Sequence, residues 1–380
     1  MKIVSIEPTP SPYSMKINVD ESLKDGQTEE YKIDDDLSDA PNYVKELFAI
    51  NGVKELYRVI DFMALERNPK VPWEDILPKV KEVLGSTEDE SPSKSTNDQS
   101  TEDNFGEIKV FIQKFRNIPM QVKTEEQEEE KRFGLAGRFM DAVMEASKDA
   151  DLLAEREWVE QSPRYGDAND IGQDVVDEIE ATYDQDRLDA LIKLAIKGRA
   201  HDVEAYPQEK LTIEKLEAED WKDRYAALDR MPDPTVEDLP ALDKALDDSK
   251  MSVRRLATAY LGEIEDKQVL PYIYKAMKDK TVTVRRTAGD CLSDLGFTEA
   301  IPEMIKALQD KSRIVRWRAA MFLYEYGDDT ALPALEDALE DPEFEVRMQA
   351  KMALSRIQGG EEAKGSIWKQ MTEMTKKKNK

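Results

Sequence analysis

Apolar and polar positions recur with a step of 31 residues through the C-terminal half of the chain. The pairs Val253-Arg254, Val284-Arg285, Val315-Arg316 and Val346-Arg347 follow one another at this step. Asp248, Asp279, Asp310 and Asp341 keep it, as do Pro240, Pro271, Pro302 and Pro333. So do Ala257, Ala288, Ala319 and Ala350, and Leu261, Leu292, Leu323 and Leu354. Such a period is the mark of a repeat architecture. Each unit reads as two short helices. Leu270 to Met277 opens with a proline at the helix start, where the missing N–H costs nothing. It leads to Asp279, the expected N-cap of the helix that follows. Val284 to Leu295 has helical spacing and stops at Gly296, the expected C-cap. One hairpin of this kind cannot bury its apolar face alone, so neighbours must stack. A degenerate first copy is expected over Lys222 to Asp248, where Arg224 and Ala226 keep phase with Arg255 and Ala257.

The first half has other periods. Ile3 to Ile6, Met15 to Val19 and Glu30 to Ile33 read as short strands separated by turn residues. Pro41 to Ile50 reads as a helix ended by Asn51-Gly52, Val53 to Ile60 and Phe62 to Leu65 as a hairpin, and Trp73 to Leu84 as an amphipathic helix. Glu107 to Phe115 alternates like a strand, with Ile118 to Val122 as a second, edge strand limited by Pro119. Acidic Glu125 to Glu130 leads into an expected helix from Arg132 to Ser147. Trp158 to Gly166 reads as a loop or a strand, and Ile171 to Tyr183 and Leu188 to Lys197 as helices. The expected organisation is therefore a small α+β domain over residues 1–85, a disordered acidic linker over 86–104, an α+β region with helices over 105–206, an all-α repeat array over 207–367, and a basic tail over 368–380. The linker is Ser, Thr, Glu and Asp with almost no apolar residue, too little to offset its ordering entropy.

Composition narrows the chemistry. The 380 residues are 40% hydrophobic and 36% charged, with a net charge of −26. That charge disfavours nucleic acid and anionic membrane as partners. There is no apolar run of about 20 residues to span a bilayer and no secretory leader pattern at Met1 to Pro10. The cytoplasm is the expected location. The chain has one cysteine, Cys291, and one histidine, His201. One thiol cannot make a disulfide within the chain or a Cys-rich metal site. Cys291 falls in an apolar repeat slot and is expected as a packing residue; His201 is expected at the surface. Neither a G-x-x-x-x-G-K loop nor a G-x-G-x-x-G is present, and 81 carboxylates leave no pair conspicuous. No catalytic residue, metal site or cofactor is expected.

Three stretches carry family resemblances. The period and the Pro, Asp, Val-Arg, Ala and Leu slots over Glu219 to Ile357 resemble HEAT repeats, in particular the short HEAT-like repeats of phycobilin lyases. Glu7-Pro8-Thr9-Pro10-Ser11-Pro12-Tyr13-Ser14-Met15-Lys16 resembles the T-P-N-P-x-S-x-K signature of the N-terminal domain of Nfu-type iron–sulfur scaffolds. Leu47 to Leu56 and Val71-Pro72-Trp73-Glu74 resemble the helix–turn–strand and last helix start of that domain. Ser11 and Tyr13 replace the usual asparagines, and the C-x-x-C that carries the cluster in that family is missing, so the resemblance implies a fold and a docking role. Pro8, Pro10 and Pro12 are either a stiff connection or a binding loop. Phe115 to Val122 resembles the R-x-I-P-x-Q-V core of a small bacterial virulence-factor domain, in which Arg116, Pro119 and Gln121 are either a site or part of a buried strand. The order of the three is similar to that of the conserved virulence factor C family of low-GC Gram-positive bacteria. That resemblance implies a link to toxin production and virulence, without a reaction.

Binding residues are sought where the repeats differ. The recurring Asp and Arg are expected to hold helix ends and neighbouring repeats together through charge-assisted hydrogen bonds. Positions just after that Arg vary. In HEAT proteins the second helix usually lines a concave groove, which here would carry Arg255, Arg286, Trp317, Arg318, Met321 and Met348. These residue types are enriched at interfaces and suit an acidic protein segment. The alternative is that Trp317 packs between repeats and the arginines pair with local acids. The expected function is a non-enzymatic scaffold for protein partners with acidic segments. The alternative is an accessory factor docking to iron–sulfur or cofactor maturation machinery. Oligomeric state is not specified by the sequence.

Overall fold

Alternation builds the first sheet. The computed structural model describes residues 1–9, 11–24, 27–85, 107–126, 129–198 and 208–360. The expected linker and tail and His201 lie outside them. Strands β1 (Ile3–Pro8), β2 (Ser14–Val19), β3 (Thr28–Lys32), β4 (Val53–Val59) and β5 (Phe62–Arg67) form an antiparallel sheet in the order β1-β2-β5-β4-β3. Met15, Ile17 and Val19 face the core, and Ser14, Lys16 and Asn18 face away, as period-2 geometry requires. Helices α1 (Asn42–Phe48) and α2 (Trp73–Leu84) cover the core side. Pro72 precedes α2, Glu74 and Asp75 lie in its first turn, and Trp73, Ile76, Leu77, Val80 and Leu84 are buried.

The chain divides into two compact units: Met1–Phe105 with Leu323–Lys380, and Gly106–Phe322. The second begins with β6 (Glu107–Phe115), β7 (Ile118–Glu126) and β8 (Glu129–Gly134), then α3 (Gly137–Ala146), α4 (Leu152–Glu155), β9 (Arg156–Tyr165), α5 (Ala168–Thr182) and α6 (Gln185–Ile196). The sheet order is β8-β7-β6-β9, all antiparallel. The helix expected from Arg132 starts only at Gly137. Residues of β8 instead pair with β7, Phe133 opposite Val122 and Arg132 opposite Lys123, because pairing satisfies backbone groups that an acidic, poorly helical start would leave to water. Arg116 and Asn117 take positive φ of 46° and 68° in a tight β6–β7 turn. The Arg116 side chain bonds Glu155 at 2.6 and 2.9 Å and the Ala195 carbonyl at 2.8 Å, and Gln121 donates to Gln113 at 2.7 Å. The motif thus ties the turn to α4 and α6.

The repeats follow as helix pairs: α7 (Trp221–Asp229), α8 (Leu239–Leu246), α9 (Met251–Glu263), α10 (Leu270–Ala276), α11 (Val282–Leu295), α12 (Ile301–Ala307) and α13 (Arg313–Tyr326). The recurring arginine binds in two directions. Arg254 donates to the Asp248 and Ser249 carbonyls at 2.9 and 3.1 Å and reaches Asp279 of the next repeat at 2.7 and 3.2 Å. Arg285 does the same with the Asp279 carbonyl at 3.0 Å and with Asp310 at 2.8 and 2.9 Å. Asp279 was expected as the N-cap; Thr281 holds that place, and the Asp279 carboxylate accepts from the Thr281 N–H at 2.7 Å while binding Arg254. The first copy is one residue out of the expected phase. Arg224, not a residue in step with Arg254, bonds the Ala218 and Glu219 carbonyls and then Asp248 at 2.5 and 2.9 Å. Gly296 ends α11 in the left-handed conformation, φ 65°. Gly262 permits close approach of α9 and α11, since a Cβ there would stand 2.5 Å from the Cys291 Sγ.

Helices α14 (Leu332–Asp337) and α15 (Phe344–Gly359) complete the first unit. Arg356 donates to the Leu323 carbonyl at 3.3 Å and to the Gly327 carbonyl. Replacing Arg285 by Met strips the guanidinium from Asp310, whose side chain is only 13% exposed. Removing one member of such a pair is expected to cost about 3–5 kcal/mol, read as a lower urea midpoint. A change below about 0.5 kcal/mol, the range of ordinary surface substitutions, would show that the relay does not hold the repeats.

Candidate functional site

The second helices of the repeats present cations, and these cations meet carboxylates of the same chain. In the second unit, Lys250 at the start of α9 bonds Asp174 of α5 at 2.9 Å. Arg255, one turn on, lies 3.4 Å from Glu178 of α5. Glu178 also receives a bidentate pair from Arg164 of β9, at 2.9 and 2.6 Å. Burial pushes the Glu178 carboxyl up, but the Arg164 and Arg255 charges more than offset this and hold it at about 2. Lys222 of α7 reaches Glu180 at 3.3 Å. Four cations thus meet three carboxylates of α5.

Arg286 on α11 stacks over the Tyr165 ring at 4.5 Å and meets the Tyr165 hydroxyl at 3.3 Å. It also pairs with Asp290 one turn along its own helix. Arg318 on α13 forms an ion pair with the same Asp290 at 2.7 Å. The Tyr165 hydroxyl donates to Glu107 at 3.1 Å, and Thr283 donates to the Tyr165 carbonyl at 3.4 Å. Burial and the neighbouring Arg318 charge lower the Arg286 guanidinium to about 10. Arg255, Arg286 and Arg318 are therefore brought onto acidic and aromatic groups of the same chain. Glu178 and Tyr165 belong to the middle region and Asp290 to the repeats themselves, so none of these groups is another molecule's.

The apolar members of the expected groove lie elsewhere. Trp317 is 0% exposed, so it fills the interior instead of walling an open groove. Met321 is half-buried. Met348, on α15, packs with Phe344 against the core cluster of the N-terminal sheet domain. Cys291 is buried in α11, where its thiol donates to the Thr258 carbonyl at 3.3 Å and burial pushes it up to about 12. Among the described residues no three His, Cys, Asp or Glu side chains are grouped to hold a metal ion.

A second docking site was not foreseen. In the first unit, Arg67 at the end of β5 is 0% exposed and bonds Glu345 of α15 at 2.9 Å, itself 3% exposed. The same guanidinium donates to the Pro69 and Val71 carbonyls at 3.1 and 2.8 Å. It lies 5.4 Å from the Tyr13 ring and 5.7 Å from that of Trp73. Trp73 in turn donates its indole N–H to the Pro12 carbonyl at 3.0 Å, and the Arg67 N–H bonds the Tyr13 carbonyl at 2.8 Å. Pro12 and Tyr13 of the Pro-rich stretch thus lie beside the buried charge pair. Beside it, Arg347 reaches back to the Asp341 and Pro342 carbonyls, each at 2.7 Å, and out to Glu74 of α2 at 2.6 Å. The sequence signal for this contact is an arginine in the last repeat with no following aspartate in step.

The elements define a multidomain repeat protein: an α+β domain, a mixed α+β region and a helical array. Residues 4–90 match the family described as scaffold protein Nfu/NifU N terminal, residues 113–192 that described as virulence factor, and residues 209–293 and 270–355 HEAT repeats. The Bacillus subtilis protein YpgR is 55% identical over 380 residues, covering 99% of this chain and 100% of that one. Conserved virulence factor C of Staphylococcus aureus is 45% identical over 377 residues, covering 99% and 100%. The crystal structure of Staphylococcus aureus protein SAV1430 is 35% identical, with a TM-score of 0.21, covering 22% of this chain and 98% of that one. The chain belongs to the conserved virulence factor C family. No helix among the described residues is long and apolar enough to cross a membrane.

Trp317→Ala is expected to remove about 3–5 kcal/mol of stability, measured by urea unfolding; an unchanged midpoint would return Trp317 to the surface. Glu178 predicts a pH dependence. Its folded-state value of about 2 lies below the unfolded value near 4.3. Its contribution is therefore present above about pH 4.3 and is lost as pH falls toward 2. Glu178→Gln should flatten the fall in melting temperature over that window, and an unaltered acid limb would contradict the assignment.

Proposed function

We propose that the protein is a cytoplasmic, non-enzymatic interaction scaffold linked to virulence, as the name of its Staphylococcus aureus relative says of that protein. HEAT repeats generally mediate protein–protein contacts. One observation carries the reading furthest: the second-helix cations Lys250 and Arg255 already hold an acidic helix, α5, through Asp174 and Glu178. The same cations would receive an acidic segment of a partner, which must compete with α5 for them. Lys250–Asp174 is the pair to open, since both side chains keep about a quarter of their surface in water. The buried Arg164–Glu178 pair stays closed, so the domain remains folded while the rim exchanges partners. Chemistry on a bound substrate has no equivalent support: the one thiol is buried and held protonated by its surroundings.

Competition gives the test opposite signs at the two ends of one ion pair. With a fixed acidic peptide or a partner caught from cells by affinity capture, Asp174→Asn should bind more tightly, because Lys250 is released. Lys250→Glu should bind several-fold more weakly, with both variants melting near the parent. Equal capture by parent and both variants would contradict the acidic-segment reading. Robust turnover by the purified chain would contradict the non-enzymatic one.

A further inference from the structure

Helix α3 buries one apolar stripe and leaves a second in water beside it. Phe139, Ala142, Val143 and Ala146 recur at the spacing of one helical face and enter the core of the middle region. Met140 and Met144 stand one turn apart on the flank of that face, 48% and 57% exposed. Among the described residues eight large apolar side chains are exposed, and these two alone share an element. A single exposed leucine or valine is ordinary. Two methionines in step along one helix make an apolar ridge, and Leu153 of α4, the next helix, adds apolar surface at 71% exposure. Methionine is flexible and polarisable, which suits a surface that adapts to what it binds.

The charges around the ridge select its occupant. Asp141 and Glu145 each follow one of the methionines, and Asp149 lies just past the helix. All three are exposed, and none has a hydrogen bond or ion pair among the described residues. Lys148 is the one cation between Met140 and Leu153. Arg138, at the helix start, is engaged with α5, donating to the Glu180 carbonyl at 2.9 Å. An acidic rim repels an acidic segment and an anionic membrane. It also disfavours a second copy, since a two-fold contact would set Asp141 and Glu145 against their own counterparts. It suits a helix whose apolar stripe is flanked by lysines or arginines, because side chains one turn apart on that helix have the spacing of Met140 and Met144. We propose that α3 seats a cationic amphipathic helix of a partner protein, with Met140 and Met144 against its apolar stripe and Asp141, Glu145 and Asp149 paired with its cations. This partner is opposite in sign to the acidic segment that Lys250 and Arg255 would receive, so the two readings stand or fall separately.

Titration of the full chain with two labelled peptides tests this by fluorescence anisotropy. One peptide carries leucine and lysine in amphipathic helical order; the other has the same residues scrambled, which keeps the charge and breaks the apolar stripe. The parent should bind the ordered peptide several-fold more tightly than the scrambled one. Met140→Gln with Met144→Gln should abolish that preference and leave the weak, salt-sensitive binding of the scrambled peptide unchanged. Asp141→Asn with Glu145→Gln should weaken the ordered peptide several-fold and flatten its salt dependence. All four positions are exposed, and each variant's melting temperature is checked against the parent before titration. Equal affinity for the two peptides, or an affinity for the ordered peptide untouched by the methionine changes, would reduce the binding to attraction by a net charge of −26 and overturn the proposal. Self-association lost in the methionine variant would assign the ridge to a second copy and overturn it as well.

Discussion

A guanidinium that binds both its own helix start and the next repeat's carboxylate is the interaction on which the rest depends. Arg254 and Arg285 each span 25 residues to Asp279 and Asp310. Their other nitrogens hold carbonyls that would otherwise be orphaned before a helix begins. One side chain therefore sets the start of a helix and the distance to its neighbour. The residue 25 positions beyond Arg347 is Thr372, which carries no charge. Glu74 of the N-terminal domain supplies the missing carboxylate. The α+β domain thus occupies, toward the last repeat, the place a further repeat would take.

The same logic explains where the variable cations went. HEAT helices with exposed arginines recruit acidic surface, and covalent connection gives a domain of the same chain a high effective concentration. Glu178 meets Arg164 and Arg255 in this way and stays ionised well below the usual carboxylate range. Charges buried together demand good geometry, which favours one arrangement of domain on repeat. The Lys250–Asp174 pair stays half-open to water, and the Arg164–Glu178 pair is closed.

Much of the architecture was legible because it rests on local patterns. The bounds of α2 and β6 follow from an amphipathic stripe after Pro72 and from strict alternation. The repeat helices follow from period and proline. Two readings failed where a longer-range contact decided. Arg132 and Phe133 sit in a strand because β7 offers an unpaired edge, which no local propensity records. Arg224 aligns with Arg254 because its carboxylate partner, not its sequence phase, sets the register. At the candidate site the residue types were legible and their partners were not. The sequence marks an arginine as needing an acid, but only folding reveals that the acid is Glu178 or Glu345, the latter 278 residues from Arg67.

That last pair is where the account is most exposed. If the N-terminal domain is part of the last repeat's packing, Arg67 and Glu345 must be energetically coupled. A double-mutant cycle in the full chain, with Arg67→Ala, Glu345→Ala and both, measured by urea unfolding, reads that coupling directly. The account predicts a coupling of about 1–3 kcal/mol, with each single change costly and the second adding little to the first. Strictly additive losses would contradict it, because they would mean that the domain and the last helix fold without regard to one another.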